Sequence, residues 1–530
     1  MTVLTPARQP DVPLPGRAGD VASSGRLALF LILALGAALR LYHVTAPFLD
    51  AHAWRQLDTA AMARNFYDGP FFPLDPRVDW GGRQGYLEAE FPLVPAVIAL
   101  LYRLFGLHEV LGRLVVIASS LGLVWCVYRL ALVLDGRPSV ARAAAFLMAI
   151  SPAAVFFGRI VIPDTPMMFL LALALLAFVE YSYGGPPRLL VTGAVALALA
   201  CLLKLPAIFL GPAIVTALVS GRGWRVFRDP RVWAAGLLPL AVTAAWYWHA
   251  HLIFERTGLT MGILGAPTKF YPAYVSPGPW PSIYSKWSTV ALLTDYDFYE
   301  RMFVRFYHFL LLPVGFTGAV LGGVIWRGRG RAVLAVWLVS NVVFLFIAGE
   351  VHRVHEYYQL PFVVIGAVYF GAVAWPLFDA DWIRSRFGDG VAHRVVEAGI
   401  IVALGLAGFY CSSVTQAYFS PRGMAERMQQ AGLAIDRATS DNDLAIVVDN
   451  YGIMSPILLY FTHLKGWSFD VGDLTPQVVD NLRRLGARYF ITTQWSHFKG
   501  SRPEAAAYLE RYRPADIPGV PGDTMVFELR

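Results

Sequence analysis

Apolar residues in this chain come in blocks near the length of a membrane span, and that block length constrains the fold more than any other feature. About 20 helical residues, at 1.5 Å each, cross the roughly 30 Å of a bilayer's hydrocarbon core. The blocks do not alternate, which excludes a closed β-barrel. A lipid-embedded chain must satisfy its backbone internally, so the expected class is an α-helical polytopic membrane protein. Composition agrees: 56% of the 530 residues are hydrophobic and 15% charged, where a soluble protein would carry about 25% charge.

The runs lie at 25–45, 110–134, 140–157, 166–182, 189–203, 206–220, 232–252, 303–326, 332–348, 358–376 and 397–411, about eleven crossings by length. A further run at 91–105 is short and reads as re-entrant or dipping. With the N-terminus in the cytoplasm, the short inside loops carry Arg137 and Arg142, Arg188, Arg222 to Arg231, Arg327 to Arg331, and Arg384 to Arg394. This is the positive-inside pattern. It needs 91–105 not to cross, and Lys204 to separate two short spans. It also accounts for the net charge of +7 without nucleic acid. The expected location is a plasma (inner) membrane.

Three domains follow. Residues 1–25 read as a disordered cytoplasmic segment, 26–415 as the membrane domain, and 416–530 as a small extracytoplasmic α/β domain. In the last, 443–450, 487–494 and 524–530 read as strands. Residues 475–486 read as a helix with Thr475 as N-cap and Gly486 as stop. His463, Lys465 and Trp467 read as solvated surface or a glycan contact. The cysteines, Cys126, Cys201 and Cys411, all lie in apolar runs and form no disulfide or metal spacing.

Long loops at 46–90 and 253–302, the turn 158–164 and the segment 350–358 fall on the outer face with the tail. The first loop is far longer than a turn needs and rich in titratable groups. Asp50 follows the first span directly. It fits two readings: N-cap of the helix that follows, or general base toward an acceptor. His52, Arg55 and Asp58 continue at helical spacing on a helix that reads as interfacial. Glu88 and Glu90 precede the next apolar run, and Glu90 is the second candidate acid. Lys204 sits between two apolar runs, where an ammonium must snorkel or bind an anion; a lipid phosphate is the expected anion. Arg159 reads as a substrate contact or as the partner of Asp164. His352, Arg353, His355, Glu356, Tyr357 and Tyr358 gather at a span edge and suit a phosphate or diphosphate. Asp75 and Asp79 read as turn residues. No Walker, GxGxxG, HExxH or paired-Cys motif is present, so an ATP-driven or redox enzyme is unsupported.

The order of these segments resembles the GT-C-fold, polyprenyl-phosphate-dependent glycosyltransferases, the protein O-mannosyltransferase and aminoarabinose-transferase group (glycosyltransferase family 39-like). The resemblance rests on Asp50 after the first span, AWRQLDTAAMARNFY, EFPLVPAVIALLYRLFG, GRIVIPDTP, LLKLP and HEYYQLPF. It implies inverting transfer of a hexose or pentose from a polyprenyl-phosphate-linked donor to a glycan, lipid or protein acceptor among membrane lipids, with no cofactor and no metal. It implies Asp50 as base, and Lys204, Arg353, Tyr357 and Tyr358 around the donor phosphate. Many members have Asp-Glu where this chain has Asp50-Ala51-His52, which leaves Glu90 as the substitute second acid. A transporter or flippase of lipid-linked saccharides is the alternative.

Overall fold

The computed structural model describes residues 22–262, 292, 294–419, 423–449, 451 and 454–530. Most of the segment read as disordered (1–21) and most of the second loop (263–291) lie outside the described residues.

Helices dominate, as the apolar blocks require. The first, α1, spans Ala22–Leu41. Among the described residues six helices are long and apolar enough to cross a membrane. The pair Tyr296–Leu310 and Pro313–Ile325 would make a seventh, but it bends by 105° at its break. Four shorter apolar helices accompany them. One is α3, Leu93–Phe105, whose 13 residues are short of a full crossing. The long helix after it is α4, Glu109–Asp135. The run expected at 140–157 is cut by Ser151-Pro152 into Pro138–Ile150 and Pro152–Phe157, because proline cannot donate to the helix it enters. The guanidinium of Arg40 fills this break, donating to Ser120 Oγ at 2.7 Å and to the carbonyls of Ala149 and Ala154 at 2.9 and 3.1 Å.

Lys204 does break the chain between two helices. It is extended (φ −158°, ψ 127°) between Arg188–Leu203 and the short 3₁₀ turn that leads into Gly211–Arg222. The last membrane helix, Val391–Phe419, runs past the expected boundary at residue 415, so the tail begins after it.

The tail folds as expected, with more strands than its sequence revealed. Strands β1 (Leu444–Asp449), β2 (Lys465–Asp470), β3 (Ala487–Thr492), β4 (Arg513–Pro514) and β5 (Met525–Glu528) form one sheet, ordered β2-β1-β3-β5-β4. The first three are parallel and β5 runs against β3. Every residue of β1 is buried, which is why LAIVVD reads as a continuous apolar run. Thr475 caps Pro476–Arg484 by accepting from the Val478 amide, and Gly486 stops the chain at φ +102°.

Loop and tail share one face of the molecule. Residues 79–82 lie along the free edge of β2: the Gly466 amide donates to the Asp79 carbonyl at 2.8 Å, and the Gly82 amide to the Gly466 carbonyl at 2.7 Å. Gly85 closes this excursion at φ +59°, where a Cβ would meet the Val78 carbonyl oxygen at 2.1 Å. The second loop joins the same face through Glu88 and Leu259, whose backbones bond at 3.0 Å.

Candidate active site

The loop helix α2 spans Ala53–Asp68, and 11 of its 16 residues are buried. It is therefore not the interfacial surface helix its sequence predicts. It is clasped between α3 and the tail: Arg64 donates to the Tyr460 carbonyl at 2.8 Å and pairs with Asp79 at 2.6 Å. Asp79 is thus half of a buried ion pair, and Asp75 lies at the edge of contact with His249 and Arg256.

Asp50 does not cap this helix. The N-cap position belongs to His52, which makes no capping bond. The carboxylate of Asp50 faces the membrane domain, with Oδ2 2.8 Å from Arg113 Nη1 and 3.8 Å from Arg159 Nη2. Its side chain is 2% exposed and both guanidinium groups are fully buried. Arg159 also donates to the His43 carbonyl at 2.8 Å and covers the Phe419 ring. The expected Arg159–Asp164 pair is not formed. Asp164 pairs with Lys204 instead, Oδ1 to Nζ at 2.8 Å.

Lys204 is the centre of the second group. Its Nζ lies 4.2 Å from the ring centroids of both Tyr357 and Tyr358, a geometry in which ring quadrupoles attract the ammonium. It lines a largely apolar cavity of about 190 Å³ with Glu90, Tyr247, Phe344 and Tyr358. Glu90 accepts from Arg55 Nη2 at 2.8 Å. Burial alone would raise the Glu90 carboxyl; Arg55, then Lys204, outweigh it and hold it below the usual carboxylate range. The same pairing raises Arg55 against its own burial.

Glu356 accepts from His52 Nε2 at 3.1 Å and from Arg305 Nη2 at 3.3 Å. His355 stacks on Tyr357 with centroids 5.0 Å apart. His52, Arg55, Glu90, Lys204, His355, Glu356, Tyr357 and Tyr358 therefore converge. Five expected members do not join them: Asp50 and Arg159 stay in their own buried group with Arg113, and three more are engaged elsewhere. Glu88 is fully buried and bonds Thr260, clamping the second loop. Asp58 is buried one helical turn below Arg55 and accepts from Trp80 Nε1 at 2.9 Å; burial pushes its carboxyl up to about 7. Arg353 pairs with Asp295, and with Glu350 at 3.6 Å.

Sequence reasoning missed Arg113 and Arg305. The signal was present, since each stands inside an apolar run, and a charge there requires a partner. Among the described residues no group of three His, Cys, Asp or Glu side chains converges as metal ligands would.

Residues 89–249 match the family model of dolichyl-phosphate-mannose-protein mannosyltransferases. That segment contains Glu90, Arg113, Arg159, Asp164 and Lys204. No curated protein sequence matches the chain. Among solved structures the fold is similar to ArnT from Cupriavidus metallidurans in the apo state, with a TM-score of 0.61, 14% identity, and 95% of this chain and 98% of that one covered. The same enzyme bound to undecaprenyl phosphate gives 0.60 at 14% identity, over 96% and 98%. The Archaeoglobus fulgidus oligosaccharyltransferase gives 0.54 at 12% identity, over 92% of this chain and 73% of that one. The mycobacterial arabinofuranosyltransferase AftD gives 0.54 at 16%, over 95% and 41%. The buried helices, the tail sheet and these likenesses together make the chain a multi-pass membrane protein of the GT-C glycosyltransferase fold.

Proposed function

We propose that this protein is a membrane glycosyltransferase that moves a hexose or pentose, with inversion, from a polyprenyl-phosphate donor to a glycan, lipid or protein acceptor of the cell envelope. The observation that carries the proposal is Lys204. A buried ammonium under two phenol rings, at the polar end of an apolar cavity between helices, suits a phosphate with an isoprenoid tail. The mannosyltransferase-family segment and the ArnT structure with undecaprenyl phosphate support that choice. The basic short loops support an extracytoplasmic site, with the tail on the same side.

In this reading the acceptor attacks the anomeric carbon as the phosphate leaves. Lys204, held by Asp164, meets the negative charge that develops on the phosphate. Tyr357 and Tyr358 position the head group. The loop's carboxylates, Asp50 or Glu90, are the acidic candidates for taking the acceptor proton, and each must first release its arginine. A flippase would move the same lipid without breaking it.

The test uses full-length protein in lipid nanodiscs. Native mass spectrometry should find a co-purifying polyprenyl phosphate or its sugar ester, and a panel of polyprenyl-phosphate sugars should yield free polyprenyl phosphate only with an acceptor present. Lys204→Met alone would strand Asp164, so Lys204→Met with Asp164→Asn is the informative variant. It should stay folded and lose the lipid. Lipid translocation without cleavage of any donor would replace the proposal by a flippase.

A further inference from the structure

We propose that the crevice between the C-terminal end of α2 and the tail binds a neutral stretch of saccharide, and that the acceptor is therefore a glycan. This deepens the glycosyl-transfer reading; the identity of the acceptor rests on that reading, and the binding itself does not.

The crevice holds about 530 Å³, within the range of ligand pockets, which favour domain junctions. Arg64, Asn65 and Asp68 line it from α2, and Asp441, His463 and Lys465 from the tail. Its walls are tied together without a ligand. Arg64 holds both Asp79 and the Tyr460 carbonyl. The amide of Gly466, next to Lys465, donates to the Asp79 carbonyl. His463 Nδ1 lies 2.9 Å from Asp436 Oδ1.

Three groups of the lining are left over. Among the described residues no hydrogen bond or ion pair engages the side chains of Asp68, Asp441 or Lys465. Lys465 is half-buried, and burial pulls its ammonium below the usual lysine range against Asp79 and Asp68. Partial burial likewise raises the Asp68 carboxyl, against Arg64. Both ions have thus lost water without gaining a bond in return, and a ligand that supplies hydrogen bonds to them is stabilised.

The chemistry of these groups selects the occupant. An ammonium offers three N–H donors and the two carboxylates only accept. Sugar hydroxyls donate and accept, and so satisfy all three. An ionic ligand has no net charge to meet, because Arg64, Arg77 and Lys465 oppose Asp68, Asp79 and Asp441. A lipid chain would find Leu107 as the one apolar side chain among the described lining residues. A peptide strand would need the free edge of β2, and residues 79–82 already cover it.

Helix α2 ties the crevice to the Lys204 group. Arg55, which pairs with Glu90, stands in its first turn and Asp68 ends it. At 1.5 Å per residue they are about 20 Å apart. An acceptor that reacts beside Lys204 and also fills the crevice is therefore a chain of several sugars. The crevice touches no reacting atom, so it contributes affinity and acts on KM rather than kcat.

The experiment uses full-length protein in lipid nanodiscs and saturation-transfer difference NMR. The probes are linear mannan, arabinan and glucan oligosaccharides, each about two and about eight units long. At least one long probe should bind, with an affinity that changes less than about twofold between about 0.05 and 0.5 M salt. Asp68→Ala with Lys465→Met should weaken that binding by at least about tenfold. Asp441→Ala, on an exposed segment, should weaken it several-fold, and it decides the matter if the double variant melts early. With the long probe as acceptor, the variants should raise acceptor KM by the same factors and leave kcat within about twofold of wild type. Binding of no oligosaccharide, or wild-type binding by the variants, overturns the proposal. So does salt-sensitive binding of inorganic polyphosphate in the crevice, which would make it an anion site. Donor cleavage that only a lipid or protein acceptor supports strikes the glycan acceptor and leaves the transferase reading standing. Saccharide binding that the variants abolish, in a protein that holds no polyprenyl lipid, keeps the crevice and removes the transferase reading instead.

Discussion

Asp58 predicts an unusual pH dependence of stability. The residue is fully buried, its Oδ1 accepts from Trp80, and no bond reaches Oδ2. Burial pushes its carboxyl from 3.8 to about 7, more than Arg55 and Trp80 can offset. Asp58 therefore binds its proton more tightly in the folded chain than in the unfolded one. Its contribution to stability is fully present below about pH 4 and is lost as pH rises through about 7. The gap corresponds to about 4 kcal/mol at pH 8. Asp58→Asn keeps an acceptor for Trp80 and removes the ionisation. With an unfolding entropy of about 2.1 cal/mol/K per residue over the chain, its melting temperature should exceed wild type by about 4 °C at pH 8. At pH 5, where only the unfolded chain has released this proton, the difference should shrink to about 1.5 °C. Scanning fluorimetry in one detergent at both pH values measures the double difference. Asp449, also pushed to about 7 by burial, titrates in the same range in both proteins and cancels. A variant less stable than wild type at pH 8 by as much as at pH 5 would refute the reasoning, because Asp58 would then be a charge the fold requires.

Asp50→Asn leaves Arg113 and Arg159 buried with no carboxylate, so stability should fall by about 3–5 kcal/mol; melting must be read beside transfer, and unchanged melting with lost transfer would favour Asp50 as the base. Gly158→Ala should destabilise the protein strongly, because its Cβ would stand 2.3 Å from the Ala154 carbonyl oxygen and 2.4 Å from Ser120 Oγ; thermal melting checks it. Gly466→Ala puts a Cβ 1.8 Å from the Ala445 carbonyl oxygen, so β2 should part from β1 and the loop at 79–82 from the tail, seen as new cleavage within the tail in limited proteolysis.

The apolar blocks gave the fold class because block length is a one-dimensional property and lipid enforces it. Lys204 as a break, the shortness of 91–105 and the Thr475 cap were legible for the same reason: each is a local signal. Partners were not legible. Asp164 lies five residues from Arg159 and forty from Lys204 in sequence, and only the packing of Arg188–Leu203 against Asp164–Ser182 decides which cation it meets. The burial of α2 was hidden similarly. Its Asp58, Arg64 and Gln56 look like a solvated face until Trp80, Asp79 and the Val161 amide supply what water would. Strand β2 was overlooked because KGWSFD carries a glycine and mixed polarity. That glycine is demanded by the close approach of the Ala445 carbonyl.

The cations of the site are already paired in the described structure: Arg55 with Glu90, Lys204 with Asp164, Arg305 with Glu356. In the proposed reaction an entering phosphate would therefore meet a preorganised but nearly neutral site, and share Lys204 with Asp164 rather than capture a bare charge. Coulomb attraction of the head group is correspondingly modest before reaction, and it grows as the leaving phosphate gains negative charge. That is the order in which an enzyme gains rate rather than mere affinity. Affinity must then come from elsewhere, and the apolar lining of Leu205, Ile208, Phe209 and Phe344 offers it through burial of the isoprenoid tail, at about 0.8 kcal/mol per methylene. In the proposed transferase this division of labour would account for Lys204 at the polar end of the apolar cavity, with the lipid tail on one side and the groups of the loop on the other.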